Sequence, residues 1–279
     1  MKAIKKYFKR RIWIRPVVQL FFFILVAIIA VNHTQSESGG GGVPFFSQAS
    51  VHAICPFGGV EALYQYLSAG SFIPKIFESS FILMFIGLLL ALFFGPVICG
   101  WVCPLGTIQE WVAILGRKLF RRRYNNFVPE KLDQILRYAR YIVLALVIYF
   151  TAKGAALVFA DYDPYFALFH FWAADTAIGA LIVLGITLVA ALFVERPWCK
   201  YLCPYGALLG VFNLFRIFQI KRDEGLCEMD KACDRACPMN ITVSAKKVIR
   251  DHQCISCMEC TTEASCPFAG VVEFSVGGK

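Results

Sequence analysis

Twelve cysteines stand among the 279 residues, and most of them fall in spaced groups. The C-terminal stretch HQCISCMECTTEASCPF sets Cys254, Cys257 and Cys260 two residues apart and follows them with Cys266-Pro267. Upstream, CEMDKACDRACPMNI repeats the run as Cys227, Cys233 and Cys237-Pro238, with Asp230 where the second cysteine would fall. Two further pairs, Cys99/Cys103 and Cys199/Cys203, each end in Cys-Pro. Their surroundings, ALFFGPVICGWVCPLG at 91–106 and ALFVERPWCKYLCPYG at 191–206, share both cysteines, the proline and the final glycine in register. Thiolates are soft donors that suit zinc, copper(I) and iron–sulfur clusters. Where thiols stay reduced, such groups read as metal ligands rather than disulfides. No Gly-x-Gly-x-x-Gly, P-loop or Cys-x-x-Cys-His run accompanies them, so no nucleotide site or c-type haem is legible.

The tail run resembles the cluster-binding sequence of bacterial ferredoxins, in which three close cysteines grip one cubane and a fourth, before proline, serves its neighbour. Here the last gap holds five residues instead of three. A zinc ribbon is the rival reading. Carried over, the crossed pattern assigns Cys254, Cys257, Cys260 and Cys237 to one four-iron cluster, and Cys227, Asp230, Cys233 and Cys266 to the other. Asp230 leaves that second site open to three readings. It ligates iron through a harder oxygen donor, the site holds a three-iron cluster, or the iron takes water or an outside ligand. A lost cluster with relic cysteines is the bland alternative.

The elements that position these residues are greasy. The chain is 58% hydrophobic, above the usual half of a soluble domain. Four apolar stretches, near 13–31, 80–98, 138–158 and 177–195, approach the ~20 residues that cross a bilayer. The first follows a basic segment, so a signal peptide competes with a retained helix there. Net charge is +9. Lys and Arg crowd before the first stretch and between the second and third, whereas 32–79 holds only Lys75 and 159–176 holds none. This alternation is the positive-inside pattern rather than a nucleic-acid face. It predicts cytoplasmic termini, with 32–79 and 159–176 outside. Both Cys-x-x-x-Cys-Pro pairs then sit at the cytoplasmic ends of spans two and four.

The expected fold is a mostly α membrane protein, with four transmembrane helices as two repeated hairpins and a small C-terminal ferredoxin-like α+β domain. Residues 1–215 form the membrane part, with repeat halves near 12–110 and 135–210, and 216–279 form the cluster domain. Pro104 and Pro204 suit the first turn of new helices, the first an amphipathic surface helix. If the hairpins pack about a pseudo-two-fold axis, Cys99, Cys103, Cys199 and Cys203 converge on one soft-metal site: iron–sulfur, mononuclear iron, copper or zinc. A reversible dithiol and close packing of small buried cysteines are the alternatives. Trp101, Trp111, Trp198 and Tyr201 read as interface anchors. Glu195 and Arg196 read as a mutual pair or as interface-facing charges. Asp161, Asp163 and Asp175 are outer-loop acids, candidates for proton relay but more simply solvated.

Apolar spans, two cytoplasmic Cys-x-x-x-Cys-Pro motifs and a double-cluster tail together resemble the NapH-type family of membrane ferredoxin-like proteins, the quinol-dehydrogenase component that accompanies periplasmic nitrate reductase. The same core is similar to NosR-type regulators and to CcoG-type oxidase-assembly proteins. The resemblance implies a multi-pass protein of the bacterial inner membrane that passes electrons between the quinone pool and respiratory cytochrome or iron–sulfur partners. Its cofactors would be two iron–sulfur clusters and quinone, beside the further metal centre that convergence of the membrane cysteines would form. Its other branches imply copper handling or redox regulation. No nucleic-acid partner is expected.

Overall fold

The computed structural model describes residues 2–37, 74–154, 162–171, 177–228, 231–266 and 270–276. Most of the outer loops, with Cys55, Asp161 and Asp175, lie outside these residues, as does Asp230. Helix α1 (Lys2–Glu37) contains the first apolar stretch and α2 (Pro74–Phe94) most of the second. The chain leaves α2 through Gly95, whose φ of +83° is a left-handed value that glycine adopts without Cβ strain. A single π-helical turn, Ile98–Val102, carries Cys99, and α3 (Pro104–Phe120) begins on Cys103. Next come α4 (Glu130–Leu136) and α5 (Ala139–Gly154). Asp163 caps the short α6 (Pro164–His170) by accepting from the Tyr165 amide at 3.0 Å. Burial pushes the Asp163 carboxyl up to about 6. Helix α7 (Ile178–Ala191) is the fourth apolar element, α8 (Pro197–Tyr201) carries Cys199, and α9 (Pro204–Asn213) begins on Cys203.

Helix α7 packs on α3 and α6, α9 packs on α2 and α5, and α1 lies against the π-turn, α3 and α6. Small residues let these backbones close up: Ala91, Ala113, Ala167, Ala180, Ala191 and Ala207 are all almost fully buried. The outer faces are apolar instead. Leu20, Phe21, Phe85, Ile86, Ile142, Ile182 and Ile186 are exposed. Helix α3 is inverted relative to a soluble amphipathic helix: Thr107, Gln109 and Glu110 face inward, while Ile114, Leu115 and Leu119 face out. Among the described residues one segment, Ile14–Asn32, is long and apolar enough to cross a bilayer. Shorter apolar helices occur at Ile82–Phe94 and Ile178–Ala191. Helix α7 stops at Ala191, before the expected end at 195, because the chain must turn through left-handed Arg196 to enter α8.

The tail is a small unit of strands and single helical turns. Strands β1 (Phe218–Arg222) and β2 (Val272–Val276) pair antiparallel, with Phe218 opposite Val276 and Arg222 opposite Val272. Between them lie α10 (Ala232–Arg235) and 3₁₀ turns at Val243–Ala245 and Glu259–Thr261. Ile220, Met239, Ile241, Val243, Ile249, Ile255 and Met258 form its core with the cysteines. The unit backs onto α2, where Phe94 stacks on Phe218 with ring centroids 4.8 Å apart.

Candidate functional site

The two Cys-x-x-x-Cys-Pro pairs meet although they lie one hundred residues apart in sequence. Cys103 and Cys203 hold nearly the same backbone shape, φ −64°, ψ 114° and φ −67°, ψ 113°, each as the N-cap of a helix that begins with proline. The Gly206 amide donates to Cys203 Sγ at 3.3 Å, and Gln109 Nε2 donates to Cys199 Sγ at 3.7 Å. Cys103 and Cys203 share the core around Leu105 and Trp198, and Cys99 and Cys203 share that around Ala91 and Leu209. Burial raises the pKa of all four thiols, that of Cys103 to about 11, and proximity adds to it: Cys203 feels Cys199, Cys99 and Cys103. Four largely buried thiols in mutual reach resist ionisation on their own and give up protons readily only to a bound cation.

In the tail, Cys237 from the upstream run joins Cys254, Cys257 and Cys260 in lining a single apolar cavity, closed by Ile220, Met239, Ile241 and Met258. Burial raises the pKa of the Cys237, Cys257 and Cys260 thiols as well, that of Cys257 to about 12. Cys233 lies within electrostatic reach of Cys266 and Cys227. Asp230, expected to join them, falls outside the described residues, so its place in this set is not described. All eleven described cysteines are free thiols. Among the described residues no three His, Cys, Asp or Glu side chains close on one point as a single-ion site requires.

The two sets abut. A Cβ on Gly100, beside Cys99, would lie 2.5 Å from the Ile255 carbonyl, so only glycine lets the π-turn touch the Cys254–Cys257 loop. Trp101 Nε1 donates to the Ser256 carbonyl at 3.0 Å, and Gln253 Nε2 donates to the Lys200 carbonyl at 3.2 Å. Asn213 Nδ2 donates to the Cys254 carbonyl at 3.1 Å, Arg216 Nη1 lies 3.6 Å from Cys254 Sγ, and Arg140 Nη2 donates to the His252 carbonyl at 2.7 Å.

Buried charge surrounds both sets. Glu110 on α3 accepts from Arg15, from Gln19 at 2.9 Å and from Arg196 Nε at 2.9 Å. Burial opposes its charge, but Arg196 and Arg15 outweigh that and keep its carboxyl below the usual range. Arg15 continues to the Gly100 carbonyl at 3.2 Å and to Glu259, beside Cys260, at 2.5 Å. Arg196 therefore does not pair with Glu195, as its neighbour in sequence suggests; it turns inward to Glu110, and Glu195 takes Arg117 at 3.2 Å. The anchor reading also fails for three of the four aromatics. Trp198 is core, Trp101 bonds Ser256 and Tyr201 donates to Asp133, leaving Trp111 partly exposed against Phe23. Lys200, fully buried, lies 2.7 Å from the Asp133 carboxylate, which Arg137 also engages.

Sequence reasoning missed Arg15, Glu110 and Arg196 as parts of the site. The available signal was polarity inside greasy stretches: Arg15 and Gln19 interrupt IWIRPVVQLFFF, and a charge in such a run is a functional flag. Among the described residues, Arg15, Arg137, Arg140, Arg196, Lys200, Arg216 and Arg222 are buried, and of the carboxylates only Glu110, Asp133 and Glu195 are, although Arg15 also reaches Glu259 and Arg222 reaches Glu224. Unpaired buried cations are costly, so this surplus asks for buried anions. Arg196 Nη2 and Arg216 Nε are buried without a hydrogen-bond partner. Thiolate-ligated iron–sulfur clusters, which are anionic, match both the cysteine donors and this positive lining.

A family model described as a 4Fe-4S binding domain matches the chain twice, at residues 78–123 and 176–222. Each match contains one Cys-x-x-x-Cys-Pro pair, and neither reaches the tail cysteines. The chain is 32% identical to the putative electron transport protein YccM of Escherichia coli over 79% of its own length and 62% of that protein's. It is 32% identical to the uncharacterized protein MJ0750 of Methanocaldococcus jannaschii, over 80% of this chain and 87% of that one. It is 30% identical to the ferredoxin-type protein NapH of Haemophilus influenzae, over 60% of this chain and 58% of that protein. The chain thus spans less than two thirds of YccM and of NapH. No solved structure matches.

Proposed function

Because this chain belongs to the NapH-type polyferredoxin family, we propose that it is a membrane-bound iron–sulfur electron-transfer protein whose centres are held by three sets of cysteines. Cys237, Cys254, Cys257 and Cys260 hold one four-iron cluster. Cys227, Cys233 and Cys266, with Asp230, hold a second. Cys99, Cys103, Cys199 and Cys203 hold a third at the membrane face. Such clusters supply one-electron storage at potentials tuned by charge and hydrogen bonds to sulfur. The observation that carries this reading is the meeting of both cysteine pairs inside a surplus of buried cations, against the loop of the tail set. A cubane places one iron under each thiolate, so its ligands stand further apart than the four donors at about 2.3 Å round a single zinc.

The chain's residues then divide the work. Gly100 and Trp101 hold the membrane set against the tail set, and Arg216 and Asn213 fix the Cys254 side of the joint. The exposed apolar belts on α1, α2, α5 and α7 and the inverted face of α3 support a multi-pass inner-membrane protein of four spans, with both termini cytoplasmic and a cluster domain from about residue 216. Electrons pass between the quinone pool and respiratory cytochrome or iron–sulfur partners.

The test is iron and acid-labile sulfide content after anaerobic purification, beside the variant with Cys99, Cys103, Cys199 and Cys203 all changed to Ser. The tail clusters account for about seven or eight irons and the membrane set for about four more. The variant is expected to lose about four irons. Equal metal in both proteins refutes the third centre.

A further inference from the structure

Arg196 is an unusual residue for its place. It adopts φ +51° and ψ +53°, left-handed values that a long L side chain rarely takes, and it is wholly buried. Such strain persists only where the surroundings over-determine it. Three features hold it. Its Nε donates to Glu110, its Nη1 donates to the Cys99 carbonyl, and the guanidinium fills the space above Gly106, where a Cβ would come within 2.7 Å of Nη1. Gly106 lies three residues after Cys103, and Arg196 lies three residues before Cys199. The guanidinium thus sits among both cysteine pairs, within electrostatic reach of the Cys99, Cys103 and Cys199 thiols. Its Nη2 is buried and unpartnered. At the matching position of the first copy the chain has Pro96, so one arginine serves the whole set.

The geometry points to Arg196, with Glu110 as its counter-charge, as the residue pair that sets how readily the four-cysteine centre accepts an electron. This inference rests on the third centre proposed above. Arginine stays charged at any working pH, so its contribution is a fixed positive charge in a water-poor site, where Coulomb interactions are strong. Reduction adds one electron to an already anionic centre and breaks no bond. A cation beside it stabilises the reduced form, and a carboxylate beside it opposes that form. Arg15 carries the same network to Glu259, next to Cys260, so the two sets share one electrostatic frame.

The experiment is a dithionite titration of the purified full-length protein with redox mediators, followed by electron paramagnetic resonance. The third centre is identified as the signal absent from the quadruple Cys→Ser variant. Arg196→Gln is expected to lower its midpoint, so that at the parental midpoint the reduced-to-oxidised ratio falls at least tenfold, equivalent to 59 mV for one electron. Arg196→Lys, which keeps the charge, should recover most of that shift. Glu110→Gln should move the ratio the opposite way. Opposite signs at two residues in contact are not what a merely structural role produces. Should Arg196→Gln shed iron, the Glu110→Gln sign decides alone. Midpoints unmoved in metal-replete Glu110→Gln, or moved downward, overturn the assignment while leaving the third centre standing. A parental protein without any signal lost in the quadruple variant overturns the third centre, and this inference with it.

Discussion

The two Cys-x-x-x-Cys-Pro copies agree where ligands are needed and differ where they are not. Cys103 and Cys203 match within a few degrees in backbone shape, and each starts a helix on proline. The approach differs. The first copy leaves its helix through Gly95 and reaches Cys99 on a π-turn, whereas the second leaves through Arg196 and reaches Cys199 on an α-turn. Gly100 answers to Lys200, and Trp101 to Tyr201. Gly100 and Trp101 press on the Ile255–Ser256 backbone; Lys200 and Tyr201 meet Asp133 on α4. The copies have therefore kept the donor geometry and split the support. One docks the tail unit and the other anchors buried charge.

That division can be broken one copy at a time. The largest effect is expected on the second-copy side. Asp133→Asn leaves Lys200 and Arg137 buried without their carboxylate, a loss of about 3–5 kcal/mol, read as a lower thermal midpoint in detergent. The same residue sets an acid limit. Burial opposes its charge, but Lys200, Tyr201 and Arg137 outweigh that and hold its pKa below the ordinary value. A depressed carboxylate contributes stability above the unfolded pKa, about 3.9 for Asp, and loses it as pH falls through the folded value. Stability of the parent should therefore drop below about pH 4, and Asp133→Asn should flatten that drop. An unchanged acid profile in the variant would mean that another carboxylate sets the limit.

On the first-copy side, Gly100→Ala drives a methyl into the Ile255 carbonyl, a backbone atom that cannot swing away. Overpacking of this kind costs about 1–3 kcal/mol. Here it should open the joint, so that limited proteolysis between 216 and 279 accelerates while the membrane set keeps its iron. Trp101→Phe should give a milder version of the same result. It removes one donor to Ser256 and costs about 1 kcal/mol. If Gly100→Ala instead sheds the iron of the membrane set and leaves the tail resistant, docking and ligation are not divided between the copies in this way.

Much of this was legible in the residues themselves. The hundred-residue repeat brought the four membrane cysteines into consideration together, and the cysteine-proline runs marked the tail. The apolar stretches were visible in composition, although α7 is shorter than its stretch because the chain turns through Arg196. What stayed hidden was the partner of each buried charge. Glu195 and Arg196 are adjacent in sequence, but the left-handed turn at Arg196 sends their side chains to different partners, Arg117 and Glu110. Neighbouring letters do not reveal a sign of φ. Gly100 was equally silent, since its role depends on a loop more than 150 residues away.

The split of one four-thiol set between two copies also bears on how the protein is made. At ~5–20 residues per second, Cys199 and Cys203 leave the ribosome about 5–20 s after Cys99 and Cys103. Through that interval the first pair is half a binding site, and its thiols are open to oxidation, to stray soft metals and to the wrong partner. Any metal loading of the finished set has to follow synthesis of the second pair.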